Sequence, residues 1–240
     1  MTTTSEQLQQ VHARIVRACE AAGRDPAGVR LLAVSKTFGP EAVRDAVAAG
    51  QQAFGENYVQ EGLDKIAALA DLRDQLEWHC IGPLQSNKTR PVAEQFDWVH
   101  SVDRLKIAQR LSQQRPPGLP PLQVCLQVNI DGGANKSGVT PEETLALARE
   151  VAALPQLVLR GLMAIPEPQP DDAAERAVFA RVADLAARLR HALGLPLDTL
   201  SMGMSADLES AIAAGSTMVR VGTAIFGGRP RAGAAAAPAA

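Results

Sequence analysis

Short apolar runs and amphipathic stretches alternate along almost the whole chain. Eight of the runs, at 29–35, 52–55, 78–82, 98–102, 122–129, 157–164, 199–203 and 218–222, are short and mostly apolar. That is the pattern of parallel strands buried on both faces. Helical patterns lie between them, at 40–49, 57–72, 88–94, 104–113, 141–153, 173–193 and 206–213. A further helix precedes the first strand, where Leu8, Val11, Ile15, Val16 and Cys19 recur at helical spacing and Gly23 ends the pattern. Pro40 and Pro141 suit a first helical turn, Thr140 and Ser205 suit N-caps, and Gly50, Gly194 and Gly215 suit C-termini.

Eight strand-then-helix units predict an α/β fold, a single closed (β/α)8 barrel of the TIM type with an extra N-terminal helix, spanning 1–227. The competing arrangement is a doubly wound open sheet. It usually needs fewer strands, and no GxGxxG follows the first strand. Two proline-rich interruptions, 115–121 and 166–170, read as surface loops. From Gly228 to the end the chain is Gly, Ala, Pro and Arg, with almost nothing to bury, and a disordered tail is predicted for 228–240.

Composition narrows the function classes. The 24 basic and 26 acidic residues of the 240 leave a net charge of −2, which gives no bulk attraction for nucleic acid or an anionic membrane. No apolar stretch approaches the roughly 18 residues of a membrane span, and the polar start MTTTSEQLQQ is unlike a secretory signal. A cytoplasmic protein is predicted. Cys19, Cys80 and Cys125 are widely spaced and read as reduced thiols. The histidines, His12, His79, His100 and His191, show no metal-ligand spacing, so no metal site is predicted.

A barrel of this kind carries its active site at the C-terminal ends of the strands. The first run, LLAVSK, leads directly into Lys36. A lysine at a strand end in a barrel mouth is partly desolvated, which lowers its pKa and favours the neutral amine that Schiff-base chemistry needs. The other reading is a solvated lysine. The seventh run continues into SMGMSADLE, where Ser205 before a helix offers amides to an anion. The eighth continues into RVGTAIFG, where Gly222 and Thr223 offer a backbone N–H and a hydroxyl. The loops after strands seven and eight are the frequent phosphate site of this fold. Tight turns alone would also explain the glycines. Taken with Lys36 across the mouth, the two loops suggest a phosphorylated aldehyde ligand. Arg220, within MVRVG, points either outward between helices or into the barrel. Turned inward, it would face a ring nitrogen as a donor only.

The strings LLAVSKT at 31–37, FGENYVQE at 54–61, WHCIGPLQSNK at 78–88, VNI at 128–130, KSG at 136–138, GLMAI at 161–165, LSMGMSADLESAI at 200–212 and VRVGTAIFG at 219–227 carry a resemblance. Together they resemble the pyridoxal phosphate homeostasis protein family, and the architecture is similar to the alanine racemase N-terminal barrel. The resemblance implies that pyridoxal 5′-phosphate (PLP) sits as a Schiff base on Lys36. It implies that Ser201, Ser205, Gly222 and Thr223 hold the phosphate with main-chain help from Met202, that Arg220 meets the pyridine nitrogen, and that Asn57 lies beside the ring. His79 and Lys88 belong to the motif without an assigned role. Lys136 reads as a solvated loop lysine, with contact to a phosphate or a second PLP as the alternative.

The resemblance further implies intracellular PLP (vitamin B6) homeostasis, with PLP-dependent apo-enzymes as recipients. Racemisation needs two bases on opposite faces of the ring, and in alanine racemase a second, β-rich domain of the partner subunit supplies a tyrosine. The elements here account for one barrel, with a single tyrosine, Tyr58. A non-enzymatic, monomeric carrier is therefore predicted. The alternatives are a weak PLP-dependent amino-acid racemase and an aldolase-type barrel that uses Lys36.

Overall fold

The computed structural model describes residues 2–133 and 136–228. Eight parallel strands close into one barrel in sequence order. They are β1 Arg30–Val34, β2 Ala53–Glu56, β3 Glu77–Cys80, β4 Trp98–Val102, β5 Leu122–Gln127, β6 Leu157–Met163, β7 Thr199–Ser201 and β8 Met218–Val221. The seam is the pairing of β1 with β8, from Arg30↔Met218 to Ala33↔Val221. The helices are α1 Thr4–Ala21, α2 Pro40–Ala48, α3 Val59–Ala68, α4 Thr89–Gln95, α5 Leu105–Gln114, α6 Thr144–Ala152, α7 Asp172–Leu193, α8 Leu208–Ala213 and α9 Thr223–Phe226. The predicted α/β barrel with its N-terminal helix is thus the observed fold.

Alternate residues of a strand face opposite sides. One set, including Leu31, Ala33, Phe54, Trp78, Val99, Val124, Leu162 and Val219, joins the main core against the helices. The other set faces inward, and there the apolar residues fall into two small groups. One is Leu32, Val34, Ala53, Ile81 and Met218. The other is Trp98, Cys125 and Met163. Buried polar residues, His79, His100, Ser201 and Arg220, occupy the space between them.

Element ends depart from expectation where side chains and turns decide them. The run expected as one helix over 57–72 is α3 followed by a 3-10 segment at Ala70–Gln75. Pro40 does occupy the first turn of α2. Pro141 does not begin α6, because Thr140 Oγ1 accepts from the Glu143 amide and closes a turn first. Ser205 is likewise not an N-cap. Asp207 stands before α8, and Ser205 lies in the preceding turn. α9 was hidden because four residues carry no readable helical period. The three cysteines are buried and free, as expected. Of the predicted 228–240 tail, everything beyond Gly228 lies outside the described residues.

Gly161 carries φ +155°, and a Cβ there would lie 1.9 Å from the Thr199 carbonyl oxygen of β7. The β6–β7 ladder therefore requires glycine at this place. We expect Gly161→Ala to destabilise the barrel by about 3 kcal/mol in urea unfolding, and a loss below about 1 kcal/mol would contradict this packing.

Candidate functional site

A cavity of about 300 Å³ opens at the C-terminal ends of the strands, within the size range of small-molecule sites. Val34, Lys36, Asn57, Ile81, Ile165, Ser205, Arg220, Gly222 and Thr223 are among its lining residues. Six of the sequence-predicted site residues thus meet in one place: Lys36, Asn57, Ser205, Arg220, Gly222 and Thr223.

Lys36 follows β1, and the backbone on either side of it is tied to α3. Ser35 donates its hydroxyl to Glu56 Oε1 at 2.6 Å, and its carbonyl accepts from Lys65 Nζ at 2.7 Å. Lys65 Nζ also lies 2.6 Å from Glu56 Oε1, and both side chains are buried. Burial raises the Glu56 carboxyl above its ordinary value, against the opposing pull of Lys65 and Ser35. On the other side, Thr37 has φ +69° and donates its amide to Glu61 Oε2 at 2.9 Å. A positive φ costs energy for a β-branched residue. The turn that carries Lys36 is held in an unusual backbone state by its neighbours.

Arg220 answers the open question of its direction. It points inward and is only 4% exposed. Its Nη1 donates to the Ser201 carbonyl at 2.5 Å and to Ser201 Oγ at 2.8 Å, and its Nη2 to the Ala164 carbonyl at 3.0 Å. A guanidinium has five N–H donors. Two of them have no acceptor among the described residues, and the side chain lines the cavity. Burial lowers its pKa to about 10, so it remains a cation near neutral pH.

The 82–85 turn brings Asn57 in. A Cβ on Gly82 would sit 2.0 Å from the Asn57 carbonyl oxygen, so glycine permits this close approach. On the opposite rim, Met204 donates its amide to Asp207 Oδ1 at 2.5 Å, which folds the segment bearing Ser205. Thr223 opens α9 directly after Gly222.

These features coincide with those of known proteins. Residues 7–230 match the family model of the alanine racemase N-terminal domain. The pyridoxal phosphate homeostasis protein of Pseudomonas aeruginosa is 64% identical over 229 residues, covering 95% of this chain and 97% of that one. The chain belongs to the pyridoxal phosphate homeostasis protein family. The family's Escherichia coli member is 53% identical over 234 residues, with 95% and 98% covered. Among solved structures, PipY of Synechococcus elongatus with PLP bound is 39% identical and superposes with a TM-score of 0.82, covering 93% of this chain and all of that one (100%). Alanine racemase from Corynebacterium glutamicum, at 21% identity, shares the fold, with a TM-score of 0.63 and coverage of 93% and 62%.

Of the other residues that the family resemblance named, Ser201 and Met202 are fully buried and do not line the cavity. Ser201 Oγ lies beneath it, between Arg220 and His100. The Met202 amide is spent on the Met218 carbonyl at 3.2 Å, within the barrel wall. His79 is buried inside the barrel and hydrogen-bonded. Lys88 is exposed before α4. Lys136 is not simply solvated. It pairs with Asp131 at 2.9 Å and Glu167 at 3.1 Å, and donates to the Ile165 carbonyl at 3.0 Å. Sequence reasoning missed Lys65 and His100, and it gave no role to Glu56 and Glu61, which fall in the FGENYVQE string. The available signal was a glutamate ending an apolar strand with Glu61 and Lys65 at helical i, i+4 spacing beyond it.

Removing one partner of a buried ion pair strands the other charge. Lys65→Met should therefore cost about 3–5 kcal/mol in urea unfolding. The double variant Glu56→Gln/Lys65→Met should recover most of it. A single-variant loss as small as that of an exposed pair, about 0–1 kcal/mol, would show that Glu56 is not held as described.

Proposed function

We propose that this protein binds PLP in the cavity as a Schiff base on Lys36 and serves intracellular PLP homeostasis, without catalytic turnover. The observation that carries the reading is the pairing of Lys36 with Arg220, the only titratable residues lining the cavity among the described ones. The donor set suits the cofactor. Lys36 supplies the amine. Ser205, Gly222 and Thr223 supply the hydroxyls and main chain for a phosphate, whereas Ser201 and Met202, expected there from the family resemblance, lie outside the cavity lining and leave that role. Arg220 supplies a permanent donor for a ring nitrogen, with Asn57 beside the ring. The PLP seen in PipY and the names of the family's members support the same assignment.

Bound PLP acts as an electron sink for carbanions, most effectively when its ring nitrogen is protonated. A guanidinium donates to that nitrogen and cannot hand over its proton readily, which restrains this chemistry. Racemisation further calls for a second acid–base group facing Lys36, and no tyrosine, histidine or carboxylate lines the cavity among the described residues. Both points favour a carrier over a racemase. No helix among the described residues is long and apolar enough to cross a membrane. We further propose that the protein acts in the cytoplasm as a monomer and passes PLP to dependent apo-enzymes.

The purified protein incubated with PLP should be yellow, and borohydride reduction followed by peptide mapping should place the label on Lys36. Lys36→Ala should lose that label, and retention of the original stoichiometry would refute the assignment. Thr223→Val should weaken PLP binding by about 1–2 kcal/mol through loss of a hydrogen bond to a charged acceptor. An unchanged Kd would remove Thr223 from the phosphate site.

A further inference from the structure

The polar side chains inside the barrel form one continuous line from the N-terminal mouth to the cavity. Glu77 opens β3 at the N-terminal mouth, 34% exposed, where Arg30 Nη2 lies 3.0 Å from its Oε1. His79 Nε2 lies 2.7 Å from the same Oε1. His79 Nδ1 is 2.9 Å from His100 Nε2 on β4, and His100 Nδ1 is 2.8 Å from Ser201 Oγ on β7. Ser201 Oγ accepts from Arg220 Nη1 at 2.8 Å. Both histidines and Ser201 have no solvent exposure (0%). Trp98 stacks on His79, with ring centroids 5.2 Å apart and planes 13° from parallel.

The end groups fix the direction of every hydrogen bond. Arg220 can only donate, so Ser201 Oγ accepts from it. The single serine proton is then free for His100 Nδ1, which must be the bare nitrogen. His100 therefore carries its proton on Nε2 and donates to His79 Nδ1. His79 in turn carries its proton on Nε2 and donates to the Glu77 carboxylate. All four links are satisfied with both imidazoles neutral. A cationic His79 would have to donate to His100, which would then donate to Ser201. The buried serine hydroxyl would be left without an acceptor, at a cost, and a second cation would share the interior with Arg220. Burial pushes both imidazoles down, His100 well below its ordinary value, in keeping with the neutral arrangement. Glu77 is drawn the other way. Burial raises it, but the bond to His79, the charge His79 carries when protonated, and the charge of Arg30 outweigh this and lower it.

We infer that Glu77, His79, His100 and Ser201 are positioning residues that hold the Arg220 guanidinium in one orientation toward the bound ring and couple its donor strength to the carboxylate at the opposite mouth. The inference rests on the reading that the cavity takes PLP. No charged group other than Arg220 lies along the line between its two ends, and no carboxylate is within ion-pair distance of Arg220 among the described residues. Through space the carboxylate whose charge acts on Arg220 is Asp207; the one it meets through hydrogen bonds is Glu77, three side chains away. A charged acceptor at the end of the line polarises each bond before it. The effect reaches the cavity without any residue of the line, except Arg220, touching it.

Two measurements test this. Nitrogen-15 spectra of histidine-labelled, PLP-free protein near pH 7 should show His79 and His100 neutral and protonated on Nε2. A doubly protonated ring, or a proton on Nδ1 of either, would overturn the proposed order whatever the cavity binds. Next, Glu77→Gln removes the terminal charge at a partly exposed position and keeps an acceptor for His79. It should shift the absorption maximum of the Lys36-bound chromophore and change the PLP Kd, because a neutral acceptor at the end of the line is about half as strong as a charged one and polarises the bonds before it less. Ser201→Ala, which breaks the line next to Arg220, should shift the same maximum further. If wild type carries the Lys36 label and both folded variants match it in absorption maximum and Kd, the inference fails and the PLP reading stands. If wild type takes no label at all, the PLP reading fails and the inference falls with it.

Discussion

A single buried cation organises the interior of this barrel. Arg220 sits on β8 with its guanidinium inside the ring of strands, where an unpaired charge is expensive. Three carbonyl and hydroxyl acceptors, from Ser201 and Ala164, take part of its donor set. Those acceptors have to stand at the ends of β6 and β7, and Ser201 has to be satisfied in turn by His100. The usual stacked layers of branched aliphatic side chains give way to a polar column flanked by two small apolar groups. The cost is offset by matching the serine and histidine donors of the column to acceptors, while Arg220, with three of its donors bonded, also lines the cavity.

The amine that faces Arg220 is positioned by a second arrangement on the outer side of the barrel wall. The Glu56–Lys65 pair and Ser35 lock the end of β1, and Glu61 holds the strained Thr37 backbone. The two systems are independent. One lies between β2 and α3 and fixes where the lysine emerges. The other runs through the barrel and fixes the cation opposite. Under the proposed assignment a ligand with an aldehyde and a basic ring nitrogen would be framed by both, with the turns at Ser205 and Thr223, which line the same cavity, as the rim for its phosphate.

The fold was legible because parallel strands buried on both faces write short apolar runs, and all eight runs became strands. Lys36, Gly222 and Thr223 were legible because barrel chemistry collects just after such runs. The strand ends were less so. β7 stops at Ser201 rather than running to Gly203, since Met204 and Asp207 close a turn that propensity alone does not reveal. The positions of Ser201 and Met202 depended on side-chain parity. On so short a strand, one residue faces the column and the next packs against helices, and neither reaches the cavity. His100 was not legible at all. A lone histidine in an apolar run means little until the closed barrel places it between His79 and Ser201. The family strings supplied PLP itself, which no spacing could name.

The central claim is that Lys36 and Arg220 frame one PLP between them. A crystal structure of the protein grown with PLP tests it most directly. Density should run continuously from Lys36 Nζ, with the phosphate against Ser205 and Thr223 and the ring nitrogen toward Arg220. PLP attached to another lysine, or bound with its phosphate on Arg220 and Lys36 bare, would contradict it.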